Sequence, residues 1–139
     1  MNKISLRILK PTNKENDVDI ITRFTPEIGT LCSNHLRAGI IHILVNSPET
    51  MHSMKVEDLC YRLGTSQSVA IHHLEKLMDC RVIDVKKKQK YGRKEKRSIW
   101  GLDLRHPNWI LECYKNIRVH FFSLKELEKI TNVNQSFRR

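Results

Sequence analysis

The stretch DLCYRLGTSQSVAIHHLEKL, residues 58–77, decides the fold. It joins two apolar patterns of helical period across a short break. Val56, Leu59, Cys60 and Leu63 share one face of a helix over about 55–63. Ala70, Leu74 and Leu77 share one face of a second helix, spaced i, i+4, i+7. Gly64 is placed to end the first helix in a left-handed conformation, and Ser66 to cap the second by accepting from its freed N–H groups. Two short helices with a Gly-Thr-Ser connection make a helix–turn–helix. The second helix, over 66–80, carries more apolar residues than one buried stripe needs. With Ala70, Leu74 and Leu77 facing the core, Gln67, Ser68, Ile71, His72 and Glu75 face outward or sideways. The other reading of Val69 and Ile71 is a broader core.

Beyond Cys80 the pattern changes to strands. VIDVKKKQK and KRSIWGLDL are both β-compatible, and YGRKE between them is a turn with Gly92 available for positive φ. The expected hairpin, over 82–104, is strongly basic. The chain of 139 residues has a net charge of +10, and positions 86–97 hold eight of its 25 basic residues against one acid, Glu95. A concentrated patch of this kind calls for a polyanion, nucleic acid first and an anionic membrane second. A solvated, solubilising loop is the plainer alternative.

Outside this region, residues 1–25 read as an N-terminal arm, with a helical turn over 18–24. A long helix is expected from 26 or 27 to 46, and a loop over NSPETMHS, residues 46–53. A last helix is expected from about 107 to 131. Ile110, Tyr114, Ile117, Phe121, Leu124 and Leu127 form its apolar stripe, spaced close to a heptad seam and suited either to a dimer or to packing on the chain's own domain. The expected division is 1–25 arm, 26–106 winged helix–turn–helix domain and 107–139 C-terminal helix. The fold class is mainly α with a small β-hairpin.

Chemistry narrows the function further. No Gly-rich phosphate loop, HExxH helix or nucleophile elbow occurs, so an enzyme is disfavoured. The longest apolar run, over 38–45, is too short to span a bilayer, and the N-terminus lacks the pattern of a signal peptide. The expectation is a cytoplasmic protein with no membrane partner. Cys32, Cys60, Cys80 and Cys113 are scattered and read as small core fillers in a reducing compartment. No metal and no cofactor is expected.

A helix–turn–helix with a basic hairpin suits double-stranded DNA. The second helix fits the major groove, while the hairpin reaches flanking phosphates. The candidate base-contacting residues are Ser66, Gln67, Ser68, Ile71 and His72. Gln67 can pair bidentately with adenine, and Ile71 can meet a thymine methyl. His73 is read as partly buried and hydrogen-bonded. The candidate phosphate contacts are Lys76, Lys86, Lys87, Lys88, Lys90, Arg93, Lys94, Lys96 and Arg97. A winged helix that binds a protein partner or RNA is the alternative.

Residues 58–103 resemble the winged-helix core of the ArsR/SmtB repressors. The Ser66-Gln67 start, the His72-His73-Leu74 triplet, the Leu77 spacing and the hydrophobic-then-basic hairpin carry the likeness. The resemblance implies a homodimer paired through N- and C-terminal helices on a palindromic operator, and a role as a repressor. Many members sense metals through a Leu-Cys-Val-Cys motif in the first helix of the pair. Here LCYRL keeps Cys60 but places Arg62 at the second cysteine, and a cation there repels a metal.

Overall fold

The computed structural model describes residues 17–87, 98–121, 125–126 and 129. Helix α1 spans Asp17–Phe24, and a 3-10 turn at Thr25–Glu27 leads into α2, Ile28–Ser33. Helix α3, His35–Val45, follows after one residue. The single helix expected over 26–46 is therefore two. Asn34 causes the break: its backbone is extended (φ −72°, ψ 123°), and its side chain accepts from the N–H groups of Leu36 and Arg37. Asparagine competes well for such a cap, so it starts a helix here rather than continuing one.

Every residue of α3 from Ala38 to Val45 is buried, so the apolar run is the central rod of the core. It packs against α4, α5, α6 and strand β3, Ile99–Leu102. Its one polar interior residue, His42, is satisfied locally. His42 Nδ1 lies 2.9 Å from the Tyr114 hydroxyl, and Asn46 Nδ2 donates to the His42 carbonyl at 2.8 Å.

Strand β1, Ser53–Lys55, lies where the expected loop was to pass into the helix over about 55–63. It pairs antiparallel with β3, which also pairs antiparallel with β2, Ile83–Lys87, giving the order β1-β3-β2. The register aligns Met54 and Val85 with Trp100, and Ile83 with Leu102, on the core face. Ser53 and Asp84 flank Gly101 on the other face. A Cβ on Gly101 would lie 2.8 Å from Ser53 Cβ and 2.9 Å from the His52 carbonyl oxygen, so only glycine lets β1 approach this closely.

Helix α4, Val56–Leu63, and helix α5, Gln67–Asp79, form the helix–turn–helix. Helix α6, Pro107–His120, packs on α2 and α1. It stops at Phe121, whose backbone is extended, rather than near 131. Lys125, Glu126 and Lys129 are again helical. Ile110, Tyr114 and Ile117 are buried in the chain's own core. They pack against α1, α2 and α3. Phe121 is half-buried, and Leu124 and Leu127 lie outside the described residues.

The described part of the expected arm also joins the core. Ile20 of α1 is fully buried, and Phe24 lies with its ring centroid 6.1 Å from that of Trp109 on α6. Asp17 accepts from the Asn108 N–H at 3.4 Å, helping to cap α6. Trp109 Nε1 donates to the Cys80 carbonyl at 2.7 Å, tying α6 to the end of α5. Residues 17–24 and 107–120 are thus packed layers of the same core as the helix–turn–helix.

Candidate nucleic-acid interface

Local chemistry fixes where α5 starts and stops. Gly64 takes the left-handed conformation (φ 66°, ψ 38°), and the Gly64 and Thr65 N–H groups both donate to the Cys60 carbonyl. Ser66 is extended, and its Oγ accepts from the Val69 N–H at 3.3 Å. At the far end Arg81 adopts positive φ (63°), and the Val82 N–H donates to the Leu77 carbonyl, which closes the helix before β2.

Ala70, His73, Leu74 and Leu77 are buried, and they anchor one side of α5 to α3 and α4. At about 100° per residue, the side away from the core is centred near His72. Ser68, Val69, His72, Glu75, Lys76 and Asp79 are exposed there. Gln67 and Ile71 lie at the edge and are half-buried, and Ile71 packs against the core. Ile71 is therefore mostly committed to packing. The apolar side chain turned outward is Val69, 38% exposed, which is not among the candidate base contacts named above. The missed signal is angular: Val69 lies closer than Ile71 to the direction of His72 and Lys76.

His73 is 8% exposed and accepts from Arg37 Nε at its Nδ1, at 3.1 Å. Burial, then the nearby Arg37, His72 and His35, hold its pKa below the usual histidine value. It is a neutral imidazole that takes Arg37 as its donor. His72 meets it edge-on, with centroids 5.2 Å apart, and keeps its own ring in solvent.

The hairpin follows directly. A register irregularity between Val85 and Lys87 turns the end of β2, and both Lys86 and Lys87 are exposed. Lys88, Lys90, Arg93, Lys94, Lys96 and Arg97 lie outside the described residues. Just after β3, Arg105 grips Asp103 through Nε and Nη2, both at 2.8 Å. Burial acts to raise the Asp103 pKa, but the Arg105 hydrogen bonds and charge outweigh it and hold the carboxyl below its ordinary value.

The thiols are poorly placed for ligation. All four cysteines are free, with Cys32 and Cys113 buried and Cys60 and Cys80 half-buried. Burial pushes the Cys60 and Cys80 thiols up, and Cys113 is raised further by its contact with Cys32. Among the described residues, no group of three His, Cys, Asp or Glu side chains is arranged to hold a metal.

An α5 exposed along one arc, seated on a buried α3 and followed by the antiparallel strands β2 and β3, defines a winged helix–turn–helix fold. Residues 34–85 match the family model described as bacterial regulatory protein, arsR family. Residues 34–85 therefore carry an ArsR-like helix–turn–helix domain, a domain of DNA-binding transcription regulators. The match runs from the Asn34 cap to the middle of β2, so α1, α2, β3 and α6 lie outside it. No curated protein and no solved structure matches the chain. No helix among the described residues is long and apolar enough to cross a membrane.

Proposed function

We propose that the protein is a homodimeric, sequence-specific regulator of transcription, acting as a repressor in the cytoplasm. Helix α5 enters the major groove, and the wing lies on the flanking backbone. The observation that carries this reading is the exposed arc of Ser68, Val69, His72 and Lys76 on a helix packed against strand β2, which ends in the exposed Lys86 and Lys87. Ser68 and His72 supply donors and acceptors to base edges, Gln67 reaches from the helix start, and Val69 supplies the apolar contact to a thymine methyl. Ser66 serves chiefly as the cap that fixes that first turn. Lys76, Lys86 and Lys87, with the basic residues of 88–97, neutralise phosphates.

Dimerisation uses the outer sides of α1 and α6 and the chain beyond 121, since the inner stripe of α6 is spent on the core. Val18 and Val119, 70% and 71% exposed, are apolar side chains those outer sides leave to a partner copy. Two copies present two recognition helices to two half-sites, as a two-fold operator requires.

The test compares His72→Ala with Lys87→Gln on a selected operator and on unrelated duplexes across a range of salt. His72→Ala should change which bases are preferred and leave the salt slope unchanged. Lys87→Gln should weaken all duplexes alike and flatten the slope by about one contact. Identical behaviour of the two variants contradicts base reading by α5.

A further inference from the structure

We infer that Arg37, on α3 and outside the helix–turn–helix, is a phosphate contact of the DNA interface, held in position by His73. This rests on the DNA-binding reading above.

Arg37 is half-buried, and its guanidinium has a single described partner. Nε donates to His73 Nδ1 at 3.1 Å, and neither terminal nitrogen has a hydrogen bond or ion pair among the described residues. A guanidinium fixed through Nε keeps its two terminal N–H groups as an aimed fork, which is the geometry that takes a phosphate oxygen pair. His73, which holds the fork, meets the exposed His72 edge-on and lies within electrostatic reach of His35. Arg37 and Lys76 both act on Cys80 at the end of the same flank. Glu27 and Asp79 act on Cys80 as well, yet neither forms an ion pair with Arg37. A helix lying in the major groove has a phosphate backbone along each side, and phosphate contacts set its register. The wing supplies cations from the hairpin, and Arg37 supplies one from α3.

His73 is a positioning residue. A neutral imidazole accepting at Nδ1 orients the fork, whereas an imidazolium would repel it. The buried seat of His73 between α5 and α3 keeps this acceptor fixed as α5 docks. The arrangement also accounts for the adjacent histidines: His72 points into solvent, and His73 points back to hold Arg37.

Affinity is measured on the selected duplex and on an unrelated one between about 50 and about 200 mM salt. Arg37→Gln should reduce the slope of log affinity against log salt by about 0.9, which is about 3.5-fold over that fourfold range, equally on both duplexes. Arg37→Lys, which keeps the charge, should retain the slope. His73→Gln retains an acceptor and should bind nearly as the parent does. His73→Leu should weaken binding in the parent and have little effect in the Arg37→Gln background. Thermal midpoints taken on the same samples separate folding from contact. An unchanged slope in Arg37→Gln, with a reduced slope in Lys87→Gln, overturns the role of Arg37 and leaves the DNA reading standing. Absence of any salt-dependent duplex binding by the parent overturns both.

Discussion

Exchanging the roles of two neighbouring side chains on α5 probes the interface most finely. Ile71 and Val69 are both apolar and two residues apart, but the structure assigns them opposite duties. Ile71 packs against the core, while Val69 stands 38% exposed on the outer arc. Truncating a fully buried isoleucine to alanine costs about 2–5 kcal/mol, so a half-buried one should cost about 1–2.5 kcal/mol. Val69→Ala removes surface that is already wet, and its cost should stay within about 0.5 kcal/mol, offset further by the better helix propensity of alanine. On DNA the order reverses. Val69→Ala should lose preference for one base pair by about 1–3 kcal/mol, the usual scale of a single mismatched position. Ile71→Ala should leave base preference nearly intact in the folded fraction. Urea unfolding gives the first pair of numbers and competition among duplexes the second. Equal destabilisation by both variants, or a changed base preference from Ile71→Ala alone, would refute the assignment of faces.

Three further outcomes follow from individual contacts. Gly101→Ala should destabilise by about 1–3 kcal/mol, read as a lower urea midpoint, because its Cβ meets the Ser53 side chain and the His52 carbonyl and forces β1 off β3. The Asp103 carboxyl, 3% exposed and held below its ordinary pKa by Arg105, adds stability that is present above the unfolded value of about 3.9 and lost as pH falls through the folded value. Asp103→Asn should therefore cost about 1–3 kcal/mol at neutral pH and remove that part of the acid limb in a pH series of thermal midpoints. His73 has the other sign. Its folded pKa is lowered, so the unfolded chain takes up the proton first, and stability should fall as pH drops below about 6.5. His73→Gln should remove that dependence, and an unchanged profile would contradict the neutral-acceptor role.

The centre of the fold was legible because its signals are local. Gly64 and Ser66 mark the turn through backbone conformation and a side-chain acceptor, and the Ala70-Leu74-Leu77 spacing orients α5 without knowledge of the rest. The flanks were less legible because tertiary contacts decide them. Asn34 reads as an ordinary residue within a helical pattern until its cap of α3 is seen. The three-residue strand β1 has too few side chains to show a period, and it exists because β3 offers an edge and Gly101 leaves room. The stripe of α6 fits a dimer seam and a core equally well by spacing, and the burial of Ile110, Tyr114 and Ile117 becomes visible only once α1 and α2 are placed over them. In the candidate interface, the outward set on α5 could be read to within one edge of the helix, which is where Ile71 and Val69 change places. Arg37 carried no sequence signal. It lies 36 residues from His73, and nothing but the packing of α3 on α5 joins them.

The central claim is that α5 and the wing engage one duplex together and that two copies do so on one operator. Selection of bound duplexes from a random pool at physiological salt tests it most directly. Enrichment should yield an inverted repeat, its half-sites separated by about one helical turn of 10–10.5 base pairs or a multiple of it. Recovery of a pool as random as the input, or of a single unpaired motif, would contradict the account.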